Sequence, residues 1–304
     1  MVSIEPLGIG FPYMATMPAE FYRSGAMNFV EITPEVLCRQ QGGGPAGALE
    51  IVPQQLKRAR TTCGALPIVV HGVELSIGSA HGCNAAYLEM LDDLYETWPF
   101  LWHSEHLGFQ TIAGDDGATL EVGVPLPLPA TREAVEIVAE RSAAIRQRYG
   151  VPFLLENPAY YIAAGDLPSD SDIGDDIGLI GAIMARSGCY QLLDLHNIYC
   201  NSLNHGLDPF AVIDRVPLAR VVEIHVAGGS SRDGFWMDGH NARVPERVWE
   251  LLEYVLPRAP NVAGVVFEML EEFAPRFGAE GITEELVRAR AIWNRCRESR
   301  YAAA

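Results

Sequence analysis

Positive charge is scarce in this sequence: 22 Lys and Arg stand against 39 Asp and Glu, a formal net charge of −17 at pH 7. Proteins that wrap DNA or RNA neutralise phosphates with an excess of Lys and Arg, so the charge argues against such a protein and no nucleic-acid partner is expected. No run approaches the roughly 20 apolar residues of a membrane span. The opening "MVSIEPLGIGF" has neither the basic segment nor the long apolar core of a signal peptide. A cytoplasmic protein with no membrane partner is expected. Cys38, Cys63, Cys83, Cys189, Cys200 and Cys296 include no CxxC pair, which argues against a disulfide framework or a thiolate zinc site and leaves them as small core hydrophobes. The chain also lacks a GxGxxG loop after its first strand and a GxSxG elbow, the marks of a dinucleotide-binding sheet and an α/β-hydrolase.

What is present is a regular alternation of apolar, β-branched runs with amphipathic ones. The strand candidates are "LGIGF" from Leu7, "FVEIT" from Phe29, "PIVVHGVELS" from Pro67, "LWHSEHLGF" from Leu101, "PFLLENP" from Pro152, "QLLDLHNIY" from Gln191, "VVEIHVAGG" from Val221 and "GVVFEML" from Gly264. Helical patterns fall between them, among others "ALEIVPQQLKRA" from Ala48, "NAAYLEMLDDLYETW" from Asn84, "TREAVEIVAERSAAIRQRYG" from Thr131, "PERVWELLEYVL" from Pro245, and a last helix from Thr283 to Arg300. "QGGGPAG" from Gln41 reads as a flexible loop, and "DLPSDSDIGDD" from Asp166 as a solvated loop leading into a helix. With no Ser/Gly linker, the pattern predicts an α/β protein in which residues 1–304 form a single (β/α)8 TIM barrel.

In such a barrel the strands should be nearly continuous Val, Ile and Leu, with catalytic groups collected at their C-terminal ends. Ionisable residues gather there. They are His71 on the third strand; His103, Glu105 and His106 on the fourth; Glu156 and Asn157 on the fifth; Asp194, His196 and Asn197 on the sixth; Glu223 and His225 on the seventh; and Glu268 on the eighth. The loop after the seventh strand adds Asp238 and His240, while His81 and His205 fall in loops elsewhere. A lone His or Glu at a strand end is usually a hydrogen-bonded structural residue, but buried carboxylates in this number need pairing, protonation or metal. Four imidazoles (His71, His106, His225, His240) and four carboxylates (Glu156, Asp194, Asp238, Glu268) exceed the four to six donors of one ion and suit two or three. A mixed nitrogen and oxygen set without thiolate fits iron, manganese or zinc better than magnesium or calcium. His103, Glu105, Asn157, His196, Asn197 and Glu223 are candidates for orienting those ligands.

With these motifs assembled, the chain resembles the multinuclear non-heme iron-dependent oxidases, the family of the methanobactin-biosynthesis oxidase. The resemblance rests on "HGVELSIGS", "SEHLGF", "LLENP", "LLDLHNIYCNSLNHG", "EIHVAGG", "DGHNARVPERVWELL" and "VFEM", in that order from "GIGF" to the last strand. It implies a (β/α)8 barrel with two or three irons at the strand ends, mixed valence, and O2 as co-substrate. Carried over by motif, His71, His106 and Glu156 bind one iron, with Glu156 bridging to a second that Asp194 and His225 complete. Asp238, His240 and Glu268 hold a third or share the second. Glu156, Asp194 and His225 are then the expected catalytic residues. The implied reaction is oxidation of a cysteine in a ribosomally made precursor peptide, with a separate protein presenting the peptide leader. Two departures stand out: Gly229 lies where many relatives place a further His, and the second strand reads "EITPE" where a His-Ala-Glu-Asn run is common.

Other chemistries suit the same barrel, because fold does not fix reaction. A zinc- or manganese-dependent hydrolase or sugar isomerase would use a similar donor set, although the isomerase would want a lysine at a strand end and Lys57 lies in a helical segment. A non-catalytic metal-binding subunit is the third class.

Overall fold

The computed structural model describes residues 4–40, 48–113, 119–162 and 166–303. Its parallel strands are β1 (Gly8–Pro12), β2 (Phe29–Ile32), β3 (Ile68–Gly72), β4 (His103–His106), β5 (Phe153–Glu156), β6 (Tyr190–Asp194), β7 (Val221–Val226) and β8 (Gly264–Phe267), closed into a barrel in sequential order. The main helices are α1 (Pro53–Cys63), α2 (Ala85–Thr97), α3 (Arg132–Tyr149), α4 (Asp176–Ser187), α5 (Leu195–His205), α6 (Pro209–Arg215), α7 (Glu246–Val255) and α8 (Ala274–Ala303). All eight expected strands form. The "QGGGPAG" segment lies outside the described residues.

The chain divides into two compact units. One comprises Met1–Glu31, Ala59–Pro67 and Gln191–Ala304. Within it β1 pairs with β8 and with the start of β2, and β7 lies between β6 and β8, so that Asp194 is level with His225 and His225 with Val266. Its core is built by Ile9, Phe11, Val222, Ile224, Val265 and the apolar face of α7, including Val248, Leu252 and Val255, all fully buried. The other unit comprises Ile32–Arg58 and Ile68–Tyr190. Here β4 pairs with β3 and β5, bringing His71 level with Ser104 and His106 level with Glu156. Val69, Val70, Leu154 and Leu155 are fully buried in this unit. Burying each such side chain contributes about 1.5–3 kcal/mol before chain entropy is counted.

Local chemistry sets the helix ends. Asn84 accepts from Tyr87 N, Thr131 from Ala134 N and Asp175 from Gly178 N, each satisfying an amide that the first helical turn leaves without a partner. Gly150 and Gly188 close α3 and α4 with φ of 68° and 70°, a conformation that costs other residues about 1–2 kcal/mol.

Four boundaries differ from the sequence reading. "LHNIY" starts a helix rather than extending β6, because Asp194 caps α5 by accepting from Asn197 N at 2.7 Å. "LEI" from Leu49 pairs as a strand with Cys38–Gln40 and leaves α1 to begin at Pro53. The fourth strand stops at His106, and Phe109–Ala113 forms a hairpin with Thr119–Leu126, packed so closely that Leu126 O lies 2.8 Å from where a Cβ on Gly108 would be. The last helix begins at Ala274 and is interrupted at Gly278, whose φ of 66° breaks it.

Gly72 ends β3 beside the Tyr87 hydroxyl and the Glu105 carboxylate, both of which a Cβ would overlap. Gly72→Ala should therefore destabilise the protein by about 2–3 kcal/mol through overpacking. Urea unfolding checks this; an unchanged midpoint would show that Tyr87 and Glu105 can give way.

Candidate metal centre

In the second unit three side chains converge. His71 Nε2 and His106 Nε2 each lie 3.2 Å from Glu156 Oε2, with the two rings 4.7 Å apart. Hydrogen bonding on the far side of each ring fixes where its proton sits. Ser104 Oγ donates its only proton to Val70 O at 3.1 Å, so it must accept at 3.0 Å from His71 Nδ1. His106 Nδ1 faces Gly72 O at 3.3 Å, and a carbonyl can only accept. When neutral, both rings therefore carry hydrogen on Nδ1 and turn Nε2, as a lone-pair donor, towards a carboxylate oxygen. Three lone pairs facing one another repel unless a cation lies among them. Two donors each about 2.1 Å from one ion stand roughly 3.0–3.4 Å apart for octahedral to tetrahedral angles, so the 3.2 Å spacings fit a metal.

The first unit holds a longer arrangement, in which acids and imidazoles alternate. Glu31 Oε2 is 3.0 Å from His225 Nε2, and His225 Nδ1 is 3.0 Å from Glu268 Oε2. Glu268 Oε1 is 3.5 Å from His240 Nδ1, and His240 Nε2 is 2.8 Å from Asp238 Oδ1. The same Asp238 oxygen is 2.8 Å from His196 Nδ1, and Trp236 Nε1 donates to His196 Nε2 at 3.2 Å. An indole N–H only donates, so His196 must carry its proton on Nδ1 and give it to Asp238. Glu223 completes a buried trio with Glu31 and His225 whose ligand atoms all lie within 4.8 Å of one another.

Charge explains the behaviour of this series. Burial alone would keep His225 and His240 neutral, but Glu31 and Glu268 around His225, and Asp238 and Glu268 around His240, push both imidazoles well above their ordinary pKa. Burial raises the Asp238 carboxyl, yet His240 and His196 hold it far below the usual carboxylate range. Five carboxylates (Glu31, Asp194, Glu223, Asp238, Glu268) stand in this cluster with three imidazoles (His196, His225, His240), and Glu31, Asp194, Glu223 and His225 are essentially excluded from solvent. Negative charge buried in that excess calls for cations, which suits one or more metal ions. His240 also takes a left-handed φ of 44°, unusual for a side chain of its size. The strain is held by hydrogen bonds from Leu270 N to His240 O and from Asn241 N to Gly228 O.

The residues expected from sequence thus fall into groups. His71, His106 and Glu156 meet in one unit, with Asn157 buried next to Glu156. His225, Asp238, His240 and Glu268 meet in the other. There Asp194 and Asn197 share the capping turn of α5, His196 steadies Asp238 and Glu223 joins Glu31. His103 and Glu105 pair with each other at 2.8 Å, and their neighbours are Tyr87, Phe100, Tyr149 and Phe153. The alternation of β4 puts them on the face opposite Ser104 and His106. Cys200 lies 3.8 Å from both ring nitrogens of His196, its thiol pushed up by burial and by Asp238 and Asp194.

Sequence reasoning missed four contributors. Glu31 could have been found by the argument used for Glu223, a carboxylate within a buried strand. Ser104, Trp236 and Glu35 had no such signal, since each acts through a partner distant in sequence. Glu35 Oε1 accepts from Val73 N and Glu74 N, which fixes the chain just beyond His71. Gly229 has a physical reason as well: a side chain there would run into Met237 O and come within 3.0 Å of the His196 ring.

Comparison with known proteins follows this geometry. The family model for the RiPP precursor modification enzymes MbnB/TglH/ChrH, which act on ribosomally synthesised peptides, matches residues 7–294. A UPF0276 protein from Caulobacter vibrioides (strain NA1000 / CB15N) is 33% identical over 278 residues, covering 91% of this chain and 90% of that protein. Another from Rhizorhabdus wittichii is 34% identical over 241 residues, covering 79% of each. Among solved structures, mannonate dehydratase from Streptococcus suis superposes with a TM-score of 0.57 at 11% identity, covering 97% of this chain and 95% of that one. A putative xylose isomerase from Rhodospirillum rubrum gives 0.54 at 13%, covering 96% and 99%. At such identities these two share the barrel fold alone.

Burial and nearby Glu105 raise the Glu35 carboxyl from 4.5 to about 7, against the backbone amides of Val73, Glu35 and Glu74, which favour its charged form. The folded protein then keeps a proton that the unfolded chain releases. Stability from this group is full below about pH 4.5 and lost as pH rises through about 7. Between pH 5 and 8, metal-stripped wild type should lose about 2–3 kcal/mol relative to Glu35→Gln in urea unfolding. A difference that does not vary with pH would contradict the assignment.

Proposed function

Because the chain belongs to the MbnB/TglH/ChrH family of RiPP precursor modification enzymes, we propose that it is an iron-dependent, O2-using oxidase acting on a cysteine of a precursor peptide. The observation that carries this reading is the convergence of two imidazole Nε2 atoms, each 3.2 Å from Glu156 Oε2. His71, His106 and Glu156 would hold one iron. Glu31, Asp194, Glu223, His225, Asp238, His240 and Glu268 offer donors for one or two more, giving two or three irons in mixed valence. Iron bound there supplies a Lewis acid for the cysteine thiolate and an electron-transfer partner for O2, which accepts the electrons and hydrogens that the cysteine loses.

The remaining work falls to this chain's own side chains. Ser104 and Gly72 O fix the tautomers of His71 and His106, so that Nε2 of each is always the donor. His196, locked by Trp236, keeps the Asp238 carboxylate ionised and oriented. The alternation from Glu31 through His225, Glu268 and His240 to Asp238 gives protons defined positions within a nearly dry interior. No helix among the described residues is long and apolar enough to cross a membrane. The peptide would be presented by a separate leader-binding protein.

Two results are expected. Protein loaded anaerobically with ferrous iron should consume O2 and change the mass of a cysteine-containing peptide, with no change when serine replaces the cysteine. Oxygen-electrode traces with mass spectrometry check this; turnover with zinc alone would contradict it. Glu156→Ala should lose at least one equivalent of iron by elemental analysis, and full iron content in that variant would refute the assignment of the first ion.

A further inference from the structure

Beside the loop that carries His240, the first unit has an open cleft of about 480 Å3 lined by Ser230, Asn241, Ala242, Arg243, Arg276 and Phe277. In a chain with a net charge of −17, two arginines on one cleft are notable. Arg243 is already engaged, bonding Glu284 at 2.5 Å and Glu285 at 2.8 Å. Arg276 is exposed and has no ion-pair partner among the described residues. Asn241 donates from Nδ2 to Ser230 Oγ at 3.0 Å, while its Oδ1 is enclosed and accepts no hydrogen bond. The cleft therefore offers an uncommitted guanidinium for an anion.

We propose that this cleft binds an acidic group of the peptide substrate, its carboxylate on Arg276. A carboxylate that pairs with a guanidinium is the chemistry of an Asp or Glu residue or of a C-terminal residue. Position supports the pairing with the metal centre. Asn241 directly follows His240, and its backbone is tied to Gly228 O, at the end of the segment that leaves β7. Successive Cα atoms are about 3.8 Å apart, so the cleft begins within roughly 10 Å of His240, the span of about three extended peptide residues. The acidic group thus lies one to three residues from the reacting cysteine. This placement rests on the peptide-oxidase reading, whereas the cleft's preference for a carboxylate does not.

The test uses the full chain and fluorescein-labelled synthetic peptides, each with one cysteine. The peptides carry either Asp or Asn two residues after the cysteine, and end in either a free or an amidated C-terminus; affinity is read by fluorescence anisotropy. At low salt one acidic form should bind about five- to tenfold more tightly than the neutral amidated peptide, and added salt should erode the difference. Which form gains, Asp or free C-terminus, identifies the carboxylate. Arg276→Gln should abolish the preference, and Arg276→Lys should retain part of it. Circular dichroism confirms that the variants fold. Equal binding of all peptides, or a preference undiminished in Arg276→Gln, would overturn the proposal. So would displacement of the peptides by inorganic phosphate with no acidic preference, which would mark a free-anion site. A serine peptide separates the two readings: acid preference without cysteine-dependent O2 uptake sinks the oxidase and keeps the cleft, and the reverse sinks only the cleft.

Discussion

Glu156 Oε2 stands 3.2 Å from two imidazole nitrogens whose protons are committed elsewhere, and that repulsion is the constraint around which the site is organised. A cation relieves both contacts. Much nearby detail serves to keep those lone pairs in place: Ser104 between Val70 O and His71, Gly72 O behind His106, and Glu35 holding the amides of Val73 and Glu74. In the other unit the same problem is solved differently. Carboxylates and imidazoles alternate from Glu31 to His196, so each buried charge has an opposite neighbour, and the surplus of acid still favours metal.

The barrel was legible because its signal is repetitive. Eight β-branched runs alternating with helical patterns leave few other folds, and each run became a strand. Boundaries were less legible where one side chain decides them. Asp194 was read as part of a longer strand, yet its carboxylate caps α5 and converts "LHNIY" to helix. Ligand candidates were legible where two ionisable residues sit two apart in an apolar strand, as Glu223 and His225 do. The same alternation separates His103 and Glu105 from His106 on β4, where they turn to Tyr87 and Phe153. Contacts between residues far apart in sequence, such as Glu31 with His225 and Trp236 with His196, leave no periodic trace.

The departures from the family pattern also have a structural logic. At Gly229 the space for a side chain is taken by the His196 ring, which Trp236 and Asp238 hold from either side. In the "EITPE" segment Glu31 meets His225, and Glu35 braces the turn after His71.

The central claim is that the two donor sets exist to hold iron. It is tested most directly by counting metals in protein purified without oxygen and recording its Mössbauer spectrum before and after a cysteine peptide is added. The account predicts two or three irons per chain in mixed valence, with a spectrum that shifts when the thiol binds. Stoichiometric zinc, with no response to thiol or O2, would contradict it.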